Sequence, residues 1–144
     1  MTLYEAAPAV RTTVFPGVLN TLERLTTMGV PLALCTNKPE GATRRLLEAL
    51  GLASYFCSVV GGDTLPWRKP DRRVLDTILS QRGVAPEHAM LVGDSEIDAA
   101  AAMSAGVPFV LVTYGYRRQP AEAIDAWRAI DRFDELLAFI GAER

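Results

Sequence analysis

The 144-residue chain has 49% hydrophobic and 22% charged residues, a formal net charge of −2 and a sequence pI near 5.4. That apolar content with so little net charge excludes a disordered chain, and a domain of this length buries roughly two-thirds of its unfolded surface without a disulfide or metal staple. The slightly acidic balance offers nucleic acid or an anionic membrane no electrostatic hold, so neither is expected as a partner.

The first fifteen residues follow no period: Ala6–Pro8 reads as a loop and Val10–Phe15 as a linker or short extended segment. No basic segment followed by an apolar one marks a signal peptide. Pro16 and Gly17 open a helix whose apolar positions Val18, Leu22, Leu25 and Met28 recur every three to four residues, and Gly29 closes it. Pro31–Cys35 is a continuous apolar run, as expected of a strand buried on both faces. A helix from Pro39 stops at Gly51, a strand covers Tyr55–Val60, and Val74, Leu75, Ile78 and Leu79 mark a helix stopped at Gly83. Ala89–Val92 is a strand, Ser95–Ala105 a helix and Val107–Thr113 a strand. A short strand near Trp127–Ile130 and a helix from Phe133 to Ile140 complete the pattern. Ala99–Tyr116 is uncharged, but Ser104, Gly106 and Pro108 break it into a helix end, a turn and a strand, not a membrane span. Cys35 and Cys57 lie in apolar runs and read as reduced core residues of a cytoplasmic protein, and the lone histidine, His88, leaves no basis for a zinc site.

Strands alternating with helices of this length predict an α/β fold: a three-layer, Rossmann-like parallel sheet with helices on both faces and ligands at the strand C-termini. Three such ends carry polar residues. Thr36-Asn37-Lys38-Pro39 offers a hydroxyl and an amide at a helix start, where Asn37 is either an N-cap or part of an anion site. Trp67-Arg68-Lys69-Pro70-Asp71 holds a lysine that is either solvated or, extended before proline, aimed at a fixed point, with Asp71 a plausible N-cap. Trp67 either lines that point or covers the sheet end. Gly93-Asp94-Ser95-Glu96-Ile97-Asp98 brings two carboxylates to one strand end. Ser95 and Asp98 fit a capping box, yet a close carboxylate pair repels unless a cation lies between, and a Mg²⁺ ion is favoured over capping alone. One hydroxyl, one lysine and an acidic pair make a phosphoryl-transfer set, and no glycine-rich P-loop accompanies them.

On these residues the chain resembles the haloacid dehalogenase superfamily of Mg²⁺-dependent aspartyl-phosphate phosphatases, and within it the phosphoglycolate phosphatases. Pro16-Gly17, Thr36-Asn37-Lys38-Pro39, Gly61-Gly62-Asp63, Lys69-Pro70-Asp71 and Gly93-Asp94-Ser95-x-x-Asp98 stand in the family's order and spacing, followed by Ala105-Gly106-Val107 and Tyr114-Gly115-Tyr116. The resemblance covers about residues 14–140. It implies a small phosphorylated metabolite such as 2-phosphoglycolate as substrate. Thr36 and Lys69 are then the catalytic-site residues, Thr36, Asn37 and Lys69 bind the phosphate, and Asp94 and Asp98 serve the Mg²⁺.

The departure from the family is equally specific. The Asp-x-Asp-Gly-Thr motif that carries the family's nucleophile is absent, as is the cap domain that follows it. Residues 1–15 are therefore expected to be the tail of a cap and its linker, and residues 16–144 the Rossmann-like core. Met1 would then be an internal start. The family's first, central strand would be missing from between the strands at Leu32–Cys35 and Ala89–Val92. Its loss removes on the order of 6–12 kcal/mol of burial, comparable to a domain's whole stability. The slot is expected to close, to be filled by Val10–Phe15, or to be filled by a partner segment. The alternative class is a non-catalytic phosphate- or Mg²⁺-binding module. A phosphorylatable receiver domain is excluded by order, since its acidic pair precedes the hydroxyl and lysine.

Overall fold

The computed structural model describes residues 2–4, 17–114 and 120–140. Six strands form one sheet: β1 (Thr2–Tyr4), β2 (Leu32–Cys35), β3 (Ser58–Val60), β4 (Met90–Gly93), β5 (Phe109–Val112) and β6 (Arg128–Ile130). Every adjacent pair is parallel, in the order β3-β2-β1-β4-β5-β6. Four helices serve the crossovers: α1 (Val18–Thr27), α2 (Glu40–Ala49), α3 (Arg73–Arg82) and α4 (Glu96–Ala105).

Strand alternation sorts the core into two layers. Leu32 and Leu34 of β2, Met90 and Val92 of β4, and Val110 and Val112 of β5 face α1, α2 and the 3₁₀ turn Phe133–Ala138. Ala33, Cys35, Leu91, Phe109 and Leu111 point the other way, against α3 and α4. All four residues of β2, β4 and β5 are buried, so these strands are covered on both faces, as their unbroken apolar runs require. The three-layer expectation holds. Among the described residues no helix is long and apolar enough to cross a membrane.

The centre of the sheet corrects the sequence reading. The slot between β2 and β4 is occupied by β1, with Leu3 opposite Ala33 on one side and Leu91 on the other. A strand thus stands in the slot that was expected to be empty, and Thr2–Tyr4 belongs to the sheet. Three residues suffice because a central strand forms hydrogen-bond ladders on both edges, and leaving those edges of β2 and β4 unpaired inside the fold would strand their backbone groups. The Val10–Phe15 segment lies outside the described residues. Two smaller expectations also shift. Tyr55 closes a 3₁₀ turn, Ala53–Tyr55, so that the strand begins only at Ser58 and Cys57 is exposed, not a core residue. The final helix is 3₁₀ and ends at Ala138.

With this strand order the chain reverses direction of progression at the centre, and the crevice at the strand C-termini there is where open α/β sheets bind ligands.

Candidate functional site

Thr36 follows β2 directly, and its backbone N–H donates to the Val60 carbonyl at 2.9 Å, carrying the β2–β3 ladder one residue further. Its hydroxyl accepts from the Lys38 N–H at 3.2 Å, which leaves the hydroxyl hydrogen for a ligand oxygen. Asn37 is not the helix cap that its position suggests. The N-cap of α2 is Pro39, without a side-chain cap bond, and the exposed Glu40 N–H is satisfied from another loop, by Asp63 Oδ1 at 2.8 Å. Asn37 instead pairs its amide with the backbone of a residue 32 positions away. Nδ2 donates to the Lys69 carbonyl at 3.0 Å, and the Lys69 N–H donates to Oδ1 at 3.1 Å. Gly62 backs this arrangement, since a Cβ there would land on the Asn37 carbonyl.

Lys69, joined to Pro70 by a cis peptide bond, is only 6% exposed. Its ammonium lies 2.6 Å from Asp98 Oδ1, with the Cys35 carbonyl at 3.4 Å. The cation beside Asp98 is thus a lysine of the same chain. Asp98, 1% exposed, engages its other oxygen as well: Oδ2 accepts from the Asp94 N–H at 3.2 Å and from Ser95 Oγ at 3.1 Å. Ser95 is the N-cap of α4, its Oγ accepting from the Asp98 N–H at 3.4 Å. The capping expectation therefore holds for Ser95, while the Asp98 carboxylate turns inward to the lysine.

Gly93 makes this possible. A Cβ at that position would sit 2.5 Å from Asp98 Oδ2 and 2.7 Å from its Cγ. Gly93→Ala is accordingly expected to push Asp98 off Lys69 and to destabilise the chain by about 1–3 kcal/mol, as overpacking does. Urea unfolding of the variant checks this, and an unchanged midpoint would mean that the Asp98 carboxylate has room to yield.

Thr36, Asn37, Lys38, Lys69, Ser95, Ile97 and Asp98 line a cavity of about 300 Å³ at the strand C-termini. The structure thus brings four of the five sequence-predicted site residues together around one space. The fifth, Asp94, is buried at the end of β4 and touches the group through its N–H. The sequence reading gave no role to Tyr114, at the end of β5. Burial, with Asp134, Asp94 and Glu135 nearby, pushes its phenol up to about 12, so it stays neutral beside those carboxylates. Trp67 covers the sheet end: it packs against the α3/α4 layer, and the Arg73 guanidinium stacks 4.6 Å above its ring. Arg73 also holds the Asp71 carboxyl down at about 2 through paired hydrogen bonds. His88 ends the turn before β4, at the opposite end of the sheet.

A resident Mg²⁺ does not fit the described donors. It needs near-octahedral oxygen ligation, but both Asp98 oxygens are already engaged by protein donors. Among the described residues no group of three or more His, Cys, Asp or Glu side chains is placed to hold a metal ion.

Residues 3–112 match the model of the haloacid dehalogenase-like hydrolase family. The chain belongs to that family. It is 46% identical over 138 residues to a phosphoglycolate phosphatase of Rhodospirillum rubrum, covering 96% of this chain and 57% of that enzyme. It is 44% identical over 127 residues to phosphoglycolate phosphatase 1 of Pseudomonas aeruginosa, covering 88% and 47%. Among solved structures, one described as a predicted phosphoglycolate phosphatase from Haemophilus somnus superposes with a TM-score of 0.85 at 35% identity, covering 88% of this chain and 56% of that one. CbbY from Rhodobacter sphaeroides, in complex with xylulose-(1,5)bisphosphate, superposes with a TM-score of 0.74 at 27% identity, covering 84% and 55%. The haloacid dehalogenase-like chain thus spans about half to three-fifths of the length of these relatives.

Proposed function

We propose that this chain is the phosphate-binding core of a phosphoric monoester hydrolase of the phosphoglycolate phosphatase type, acting on a small phosphorylated metabolite. The observation that carries this reading is the Lys69–Asp98 pair, buried at the strand ends and facing the same cavity as Thr36. A phosphate entering that cavity meets the Lys69 ammonium as a fixed positive charge and the Thr36 hydroxyl as a donor. Both are oriented before the ligand arrives, so little reorganisation accompanies binding, which is the condition for strong electrostatic stabilisation of a phosphoryl group. Asp98 holds the ammonium in place. The bisphosphate bound by CbbY and the names of the curated relatives support the substrate class.

Thermal unfolding with inorganic phosphate or tungstate tests the reading. Ligand at a hundredfold excess over Kd is expected to stabilise the chain by about 2.7 kcal/mol through mass action. In Lys69→Met the melting temperature falls, because Asp98 is left without its cation, and the ligand no longer raises it. An equal ligand-induced rise in both proteins, or none in the wild type, would overturn the assignment.

A further inference from the structure

The geometry points to Asn37 as a positioning residue that acts through Lys69 and not on the phosphate, an inference that rests on the proposed phosphate site. Lys69 is held at both its ammonium and its backbone. Its ammonium is fixed by Asp98 at 2.6 Å, and its backbone is fixed by the reciprocal Asn37 bonds at 3.0 and 3.1 Å. The amide satisfies one N–H and one C=O of the Lys69 peptide units, as a neighbouring strand would. Asn37 is itself anchored from behind, where the missing Gly62 side chain leaves space for its carbonyl and the Gly62 N–H donates to the Lys38 carbonyl at 2.6 Å. Its carbonyl-side oxygen and one amide hydrogen are therefore committed to protein. What Asn37 contributes to a ligand is the place from which the lysine reaches it.

The chain has only two lysines, exposed Lys38 and buried Lys69, which supplies an internal control. Limited acetylation with acetic anhydride, followed by mass spectrometry, is expected to modify Lys38 in the wild type and to spare Lys69. In Asn37→Ala, acetylation of Lys69 approaches that of Lys38, and affinity for inorganic phosphate measured by calorimetry falls roughly tenfold or more. Asn37→Asp keeps the acceptor for the Lys69 N–H and loses the donor, so its Lys69 labelling lies between the two; it also serves if the alanine variant does not fold. Loss of phosphate affinity with Lys69 still protected in both variants would make Asn37 a direct ligand and overturn the inference. So would unchanged labelling and unchanged affinity. A wild type that binds no phosphate while the labelling follows the expected order would count against the proposed function alone, leaving the hold on Lys69 intact.

Discussion

Replacing Asp98 with alanine is expected to destabilise the chain by about 3–5 kcal/mol, the usual consequence of removing one partner of a buried ion pair. The buried Lys69 ammonium would lose the carboxylate 2.6 Å away, and Ser95 Oγ and the Asp94 N–H would lose an acceptor. Set against a typical total of about 5–15 kcal/mol, that is a large fraction of the fold's stability. The converse separates charge from packing: Lys69→Met combined with Asp98→Leu removes both charges, and such replacements are commonly neutral or stabilising. Urea unfolding of the two single variants and the double variant gives the coupling between the positions. If Asp98→Ala cost less than about 1 kcal/mol, like an exposed pair, the ammonium would have to be solvated in the native state.

The chain by itself is expected to show no measurable hydrolysis of p-nitrophenyl phosphate. Enzymes accelerate phosphate-monoester hydrolysis by up to ~10²¹ over the uncatalysed reaction. Where a nucleophile has been removed from a worked protease, positioning and electrostatics retain only ~10³–10⁴. In the proposed reading Thr36 and Lys69 bind the phosphate and Asp98 holds Lys69, but the sequence contains no Asp-x-Asp pair to attack it. A strand bearing Asp-x-Asp-Gly-Thr, joined ahead of Pro16 in place of residues 1–15, would take the slot now held by Thr2–Tyr4, and is expected to confer turnover. Robust turnover by the 144-residue chain would place a nucleophile among residues not assigned that role, and inactivity of the joined chain would favour the binding-module reading.

The core strands and helices were legible because a doubly covered parallel sheet writes itself as unbroken apolar runs separated by helical periods. Cys57 misled for the same reason: the run Tyr55–Val60 includes a turn whose apolar residues are not all inward, and sequence periodicity does not register a three-residue 3₁₀ turn. β1 left no signal, since three residues cannot establish a period and its neighbours Glu5 and Ala6 resemble a loop. At the site, residue types and spacing pointed to strand ends that the structure brings to one cavity, but the partners were hidden. Asn37, two residues before Pro39, has the appearance of a cap. Only the fold, by folding the β3–α3 loop back over β2, shows its amide matched to Lys69. Likewise, the Asp94–Asp98 spacing suggested a shared cation, and the lysine that neutralises Asp98 comes from 29 residues away.

The most direct test of the account is a titration of ¹⁵N-labelled protein with inorganic phosphate, followed by amide chemical shifts. Saturable shifts concentrated at Thr36, Asn37, Lys38 and Lys69, and lost in Lys69→Met, are the expected result. Shifts that do not saturate, or that centre on a separate cavity lined by Met103, Phe109 and Trp127, would contradict the placement of the phosphate site.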